Sequence, residues 1–190
     1  MFNRKAVFFD RDGTVIESVH RPNFPENSPD KKEITAPFLW DELKLIPDAF
    51  LAVYRFREHG FLRILVTNQP DVAHGYMDET VWQKIQGRVE NIFGFDVIKI
   101  CRHRSVDNCP NKKPLPGMLF SAADDKGIDL KNSFMVGDTD SDMKAGRSAG
   151  CRVVLVDRFY NSELPESEYD YRAQSLTEAV AWILDQEERA

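Results

Sequence analysis

Ala6-Val7-Phe8-Phe9-Asp10-Arg11-Asp12-Gly13-Thr14 is an apolar run that ends abruptly in a polar turn. Ala6–Phe9 is short, rich in branched and aromatic side chains, and continuously apolar, so it reads as a strand buried on both faces. Two carboxylates that straddle the following turn, two residues apart, can both face one site. In the functional reading Asp10 attacks phosphorus, while Asp12 acts as general acid and then as base. Covalent catalysis by a carboxylate splits a hard displacement into two easier ones, and a nearby proton donor helps the leaving oxygen depart. In the plainer reading Asp12-Gly13 only makes a turn.

Working outward, four more segments have the same character: Leu62–Val66, Val97–Cys101, Phe134–Val136 and Arg152–Val156. Helical patterns lie between them. Pro47 suits a first turn and Gly60 a stop for a helix carrying Phe50, Val53, Tyr54 and Arg57. Asp78 can cap a helix with Val81, Ile85, Val89 and Ile92 on one face. Pro116 to Gly127 and Ser141 to Gly150 read as two more, and Ser175 can cap a last helix from Leu176 to about Gln186. Alternating strands and helices of this kind predict an open, doubly wound parallel sheet of the α/β class. Such sheets bind ligands beyond the carboxyl ends of their strands.

The residues at those ends carry the candidate chemistry. Val66-Thr67-Asn68-Gln69 offers a hydroxyl and backbone N–H groups that suit phosphate oxygens. Lys112-Lys113-Pro114 offers a cation, and electrostatics dominates phosphoryl transfer. Gly137-Asp138-Thr139-Asp140-Ser141-Asp142 places acidic groups at a helix start, where they complement the dipole and can equally bind a hard cation such as magnesium.

At 190 residues the chain suits one domain spanning 1–190. No apolar run reaches the ~18 residues of a membrane helix, and a cytoplasmic location is expected. The net charge of -6 argues against nucleic acid or anionic membrane as partner; a small phosphate ester is expected instead, with the chain a monomer or small homo-oligomer. Three cysteines, Cys101, Cys109 and Cys151, do not suggest a disulfide framework. An excursion at about residues 20–46 is rich in proline. Its Phe24, Phe38 and Trp40 are expected either to screen the site as a flap or to pack against a neighbour.

The order of these signals resembles the haloacid dehalogenase superfamily of phosphatases, from Ala6 to Val156. The resemblance implies a Rossmann-like sheet with little or no cap, Asp10 as nucleophile and Asp12 as acid/base. It implies that Thr67 and Asn68 hold phosphate and that Lys113 balances its charge. Magnesium would be bound by Asp10, the backbone carbonyl of Asp12, and Asp138, with Asp142 acting through water. Asp140 receives no role. Within the superfamily, Asp10–Thr14, Thr67–Gln69 and Lys113-Pro114-Leu115-Pro116-Gly117-Met118 look like the D-glycero-D-manno-heptose 1,7-bisphosphate phosphatases. Histidinol-phosphate phosphatases share the first two motifs, and polynucleotide 3′-phosphatases have comparable ones. A non-catalytic phosphate-binding module and a transferase are the other classes to weigh.

Both small-molecule branches usually carry a four-ligand zinc loop. Here Cys101, His103 and Cys109 stand in three of its positions and Asn111, a poor zinc ligand, stands in the fourth, which puts zinc in doubt. Lys112 stands where arginine is usual, and Thr139 where the heptose enzymes have lysine. Both changes touch expected substrate contacts and point to altered specificity.

Overall fold

The computed structural model describes residues 3–24 and 33–189. Six parallel strands form the central sheet: β1 (Ala6–Phe9), β4 (Leu62–Asn68), β5 (Val97–Cys101), β6 (Phe134–Gly137), β7 (Arg152–Val156) and β8 (Tyr171–Ala173). Their spatial order is β5-β4-β1-β6-β7-β8, so the winding reverses between β1 and β6. Phe9 pairs in register with Leu65 on one side and Val136 on the other, which brings Asp10 and Asp138 to neighbouring strand ends. That reversal is where sheets of this kind leave a crevice.

Successive side chains along each strand point to opposite faces, and both faces are covered. Val7, Phe9, Leu65 and Val154 pack under α1 (Ala49–Glu58), α2 (Glu79–Phe93) and α5 (Leu176–Glu188). Phe8, Ile64, Met135 and Val153 pack under α3 (Gly117–Lys126) and α4 (Asp140–Ala149). Two buried faces explain the unbroken apolar runs of the expected strands.

Several expected details differ. The helix after Pro47 buries Ala49, Ala52, Val53 and Phe56, while Phe50 and Tyr54 stack on each other at the surface. The sequence offers two stripes at helical spacing that share Val53. The alanine-bearing one lets α1 approach the sheet closely, so it wins. Asp48 does not cap its own helix; its carboxylate accepts from the Thr177 N–H at the start of α5. Asp78 does cap α2, accepting from the Thr80 N–H. The last strand, β8, has only three residues and no apolar run to announce it.

Within the excursion, β2 (Val19–His20) pairs antiparallel with β3 (Ile34–Thr35). Residues 25–32 of the expected flap lie outside the described residues. No described helix is long and apolar enough to cross a membrane.

The two stripes of α1 make a direct comparison. Phe56→Ala is expected to cost about 3–5 kcal/mol, as for a fully buried aromatic, whereas Phe50→Ser should stay within about 0.5 kcal/mol of the parent. Urea denaturation of the two variants checks the assignment.

Candidate active site

Four chain segments deliver charged side chains to one buried point. Asp10 follows β1, Lys113 closes the loop after β5, Asp138 follows β6, and Asp142 lies in the first turn of α4. All four residues are at least nine-tenths buried. The Lys113 ammonium donates to Asp10 Oδ1 at 2.7 Å, to Asp142 Oδ1 at 2.6 Å and to the Val66 carbonyl at 2.8 Å. Carboxylate oxygens of Asp10, Asp138 and Asp142 lie within 4.8 Å of one another.

Asp10 and Asp142 share one ammonium, and burial disfavours the charged forms of Asp10 and Asp138. Burial first, then Asp142 and Asp12, pushes the Asp10 carboxyl up to about 7 despite the opposing pull of Lys113. Asp138 is raised well above the usual range by burial and by Asp10 and Asp142. For Lys113 burial pulls downward, but Asp10 and Asp142 outweigh it and hold the ammonium charged. A divalent cation would relieve this surplus of negative charge, and oxygen-only donors are what magnesium prefers. The donor set therefore fits a hard cation.

Asp12 is held separately. Gln69 Nε2 donates to its Oδ2 at 2.6 Å, and the fully buried Arg11 donates from Nε and Nη2 at 3.1–3.3 Å. Arg11 is itself tied through Nη1 to Gln86 on α2 at 3.0 Å. Neither Arg11 nor Gln69 stood out in the sequence as a site residue. An arginine inside the motif and a glutamine after a strand are unremarkable until the fold buries them.

Asn68 joins the cluster through the backbone of Lys113, donating to its carbonyl at 2.9 Å and accepting from its N–H at 3.1 Å. Thr67 does not reach the cavity lining. Strand β4 runs on through Asn68, so Thr67 stays inside it, fully buried, its hydroxyl accepting from Gln69 Nε2 at 2.9 Å. Thr139 closes a capping box with Asp142, to which its N–H and hydroxyl donate. Asp140 pairs with Lys144 along the outside of α4.

A cavity of about 500 Å³ opens above Asp10, Asp12 and Lys113. Lys112, Ser105, Thr139 and Ser141 line part of it, and Lys112 also donates to the His103 carbonyl at 3.0 Å. Phe24, Tyr76 and the hairpin residues Ile34, Thr35 and Ala36 line another part. Phe24 packs on Tyr76 and Phe38, whereas Trp40 sits under Lys84 of α2 and is not part of the lining. The aromatics of the excursion thus divide between wall and packing.

Cys101, His103 and Cys109 also converge, with ligand atoms within 4.8 Å of one another. Asn111 rests its carboxamide oxygen against Gly117, where a Cβ would lie 2.6 Å away. Among the described residues these three donors gather without a fourth, which does not fit the closed tetrahedron of a structural zinc.

Residues 111–179 match the HAD-hydrolase-like family model. The chain is 33% identical over 121 residues to the D-glycero-beta-D-manno-heptose-1,7-bisphosphate 7-phosphatase of Pseudomonas aeruginosa, covering 61% of this chain and 68% of that one. To the enzyme of the same name from Helicobacter pylori it is 32% identical over 155 residues, covering 78% and 81%. It belongs to the haloacid dehalogenase-like phosphatases. It is thus a phosphoric monoester hydrolase, and enzymes of this family generally use magnesium. A solved D,D-heptose 1,7-bisphosphate phosphatase from B. bronchiseptica, complexed with magnesium and phosphate, superposes with a TM-score of 0.75 at 26% identity, covering 96% of this chain and 99% of that one.

The raised Asp10 carboxyl predicts how metal-free protein responds to pH. Its folded value, about 7, exceeds the ordinary 3.8, so its contribution to stability is full below 3.8 and lost as pH rises through 7. In chelator, Asp10→Asn should therefore gain on the parent, on the order of a few degrees in Tm, between pH 5 and pH 8. Thermal melts of both proteins at the two pH values check this.

Proposed function

We propose that this phosphatase removes one phosphate from a sugar phosphate, with D-glycero-D-manno-heptose 1,7-bisphosphate as the substrate and Asp10 as the nucleophile. The reading is carried by one observation. The buried Asp10, Asp138 and Asp142 gather around Lys113 at the floor of a cavity, in a chain whose relatives bear that substrate in their names.

In this mechanism an Asp10 oxygen bonds to phosphorus as the bond to the ester oxygen breaks, and Asp12 gives its proton to that departing oxygen. Asp12 then takes a proton from water, which attacks the phospho-aspartate and frees both phosphate and Asp10. Gln69 and Arg11 hold the Asp12 carboxylate in place for both transfers. Lys113 holds Asp10 Oδ1 and places an ammonium beside the developing phosphoryl charge. Asn68 secures Lys113 by its backbone. Asp10, Asp138 and the Asp12 carbonyl would ligate magnesium, and Asp142 would support them. When bound, magnesium supplies the positive charge that keeps the carboxylates ionised and neutralises phosphoryl oxygens.

The open part of the cavity would take the rest of the substrate. Hydroxyls of Ser105, Thr139 and Ser141 suit a polyhydroxylated leaving group, and Lys112 would meet a second anionic group. The β2–β3 hairpin and Phe24 would form the flap-like wall.

Asp10→Asn should lower phosphate release at least about 1,000-fold, as expected for loss of a nucleophile, with the parent inactive in chelator and restored by magnesium. Across a panel of both heptose bisphosphate anomers, histidinol phosphate and a 3′-phosphorylated oligonucleotide, the bisphosphate should lead in kcat/KM. A lead for histidinol phosphate would reassign the substrate. Elemental analysis of protein purified without chelators should find well under one zinc per chain.

A further inference from the structure

The segment after β7 lies outside every motif read from the sequence, yet three of its side chains reach the catalytic loops. Arg158 Nε donates to the Gly13 carbonyl at 2.8 Å. Asn161 Nδ2 donates to the Asp138 carbonyl at 2.8 Å and to the Val156 carbonyl at 2.9 Å. The Tyr160 hydroxyl donates to Asp138 Oδ2. The other oxygen of the same carboxylate, Oδ1, accepts from the Thr14 hydroxyl at 3.2 Å.

Each Asp138 oxygen therefore carries one hydroxyl donor. A carboxylate oxygen has about two lone-pair directions, so one is left on each for another partner. With both oxygens tied, the carboxylate cannot rotate freely about its own axis. The approach of the phenol also depends on the motif turn. Gly13 has φ +83°, and a Cβ there would lie 2.4 Å from the Tyr160 oxygen and 2.1 Å from Asp138 Oδ2. A phenol has one O–H to donate, and here it is directed at Asp138 Oδ2.

We propose that Tyr160 is a positioning residue for the divalent cation: its hydroxyl, with that of Thr14, fixes the Asp138 carboxylate in the orientation that binds the metal. Donors behind a metal ligand set its geometry before the ion arrives, and losing one typically weakens metal binding about 10- to 100-fold. The ring has a second set of neighbours, Phe159 at 5.1 Å and, through it, His20 of the hairpin at 5.6 Å. The alternative role for Tyr160 is therefore a packing wedge between the β7 loop and the hairpin.

The inference rests on the reading that Asp138 ligates magnesium, and the test separates the two. Magnesium binding is measured by calorimetry on substrate-free parent, Tyr160→Phe, Tyr160→Leu and Asp138→Asn, with a metal-free melt of each. Both Tyr160 variants lack the hydroxyl, so both should bind magnesium about tenfold more weakly. Activity of Tyr160→Phe should need correspondingly more magnesium, with kcat at saturation changed far less. A packing wedge gives a different pattern: Tyr160→Phe matches the parent in magnesium affinity and only Tyr160→Leu loses stability. That pattern overturns the proposal. A parent that binds no magnesium, or an Asp138→Asn that binds as tightly as the parent, would instead overturn the underlying reading and this inference with it.

Discussion

Three carboxylates buried around a single ammonium dominate this molecule. Removing an ion from water costs several kcal/mol even after the protein relaxes, and Lys113 can balance only part of the charge of Asp10, Asp138 and Asp142. The cluster stands because the sheet leaves it no alternative. Asp10 and Asp138 end adjacent strands whose register is fixed by apolar layers above and below. Asp142 is locked by the capping box at the start of α4. The strain appears in the raised Asp10 and Asp138 carboxyls, and a hard cation would relieve it. An affinity for such a cation and a destabilised metal-free state would thus have the same cause.

Around that point the polar groups fall into two networks. One joins Lys113, Asn68 and the Val66 carbonyl, and fixes the ammonium. The other runs from Gln86 through Arg11 to Asp12 and on to Gln69, fixing the second carboxylate apart from the first. Their separate hydrogen-bond partners give the two aspartates different environments although only Arg11 lies between them in the chain. Trp82 on α2 donates to Gln69 Oε1 at 3.3 Å, so the same helix backs the second network from two sides.

Much of this was legible in the chain. Five of the six central strands, the five helices to within about two residues, and the positions of Asp10, Lys113, Asp138 and Asp142 at strand ends or beyond them follow from apolar runs, caps and turn signals. The misses have physical reasons. α1 carries two overlapping apolar stripes, and only the space beneath it selects the one with alanines. β8 is too short to show a pattern.

What the sequence determined by itself was local: which segments become strands and helices, and which chemical groups stand at their ends. Backbone propensity and side-chain periodicity act over a few residues, so they can be read from a few residues. Only the tertiary structure decided that Arg11 is wholly buried, that Gln69 and Tyr160 donate to carboxylates, and that Cys101, His103 and Cys109 meet. Those outcomes depend on contacts between residues up to 75 positions apart, and on burial, which turns ordinary polar side chains into obligatory partners.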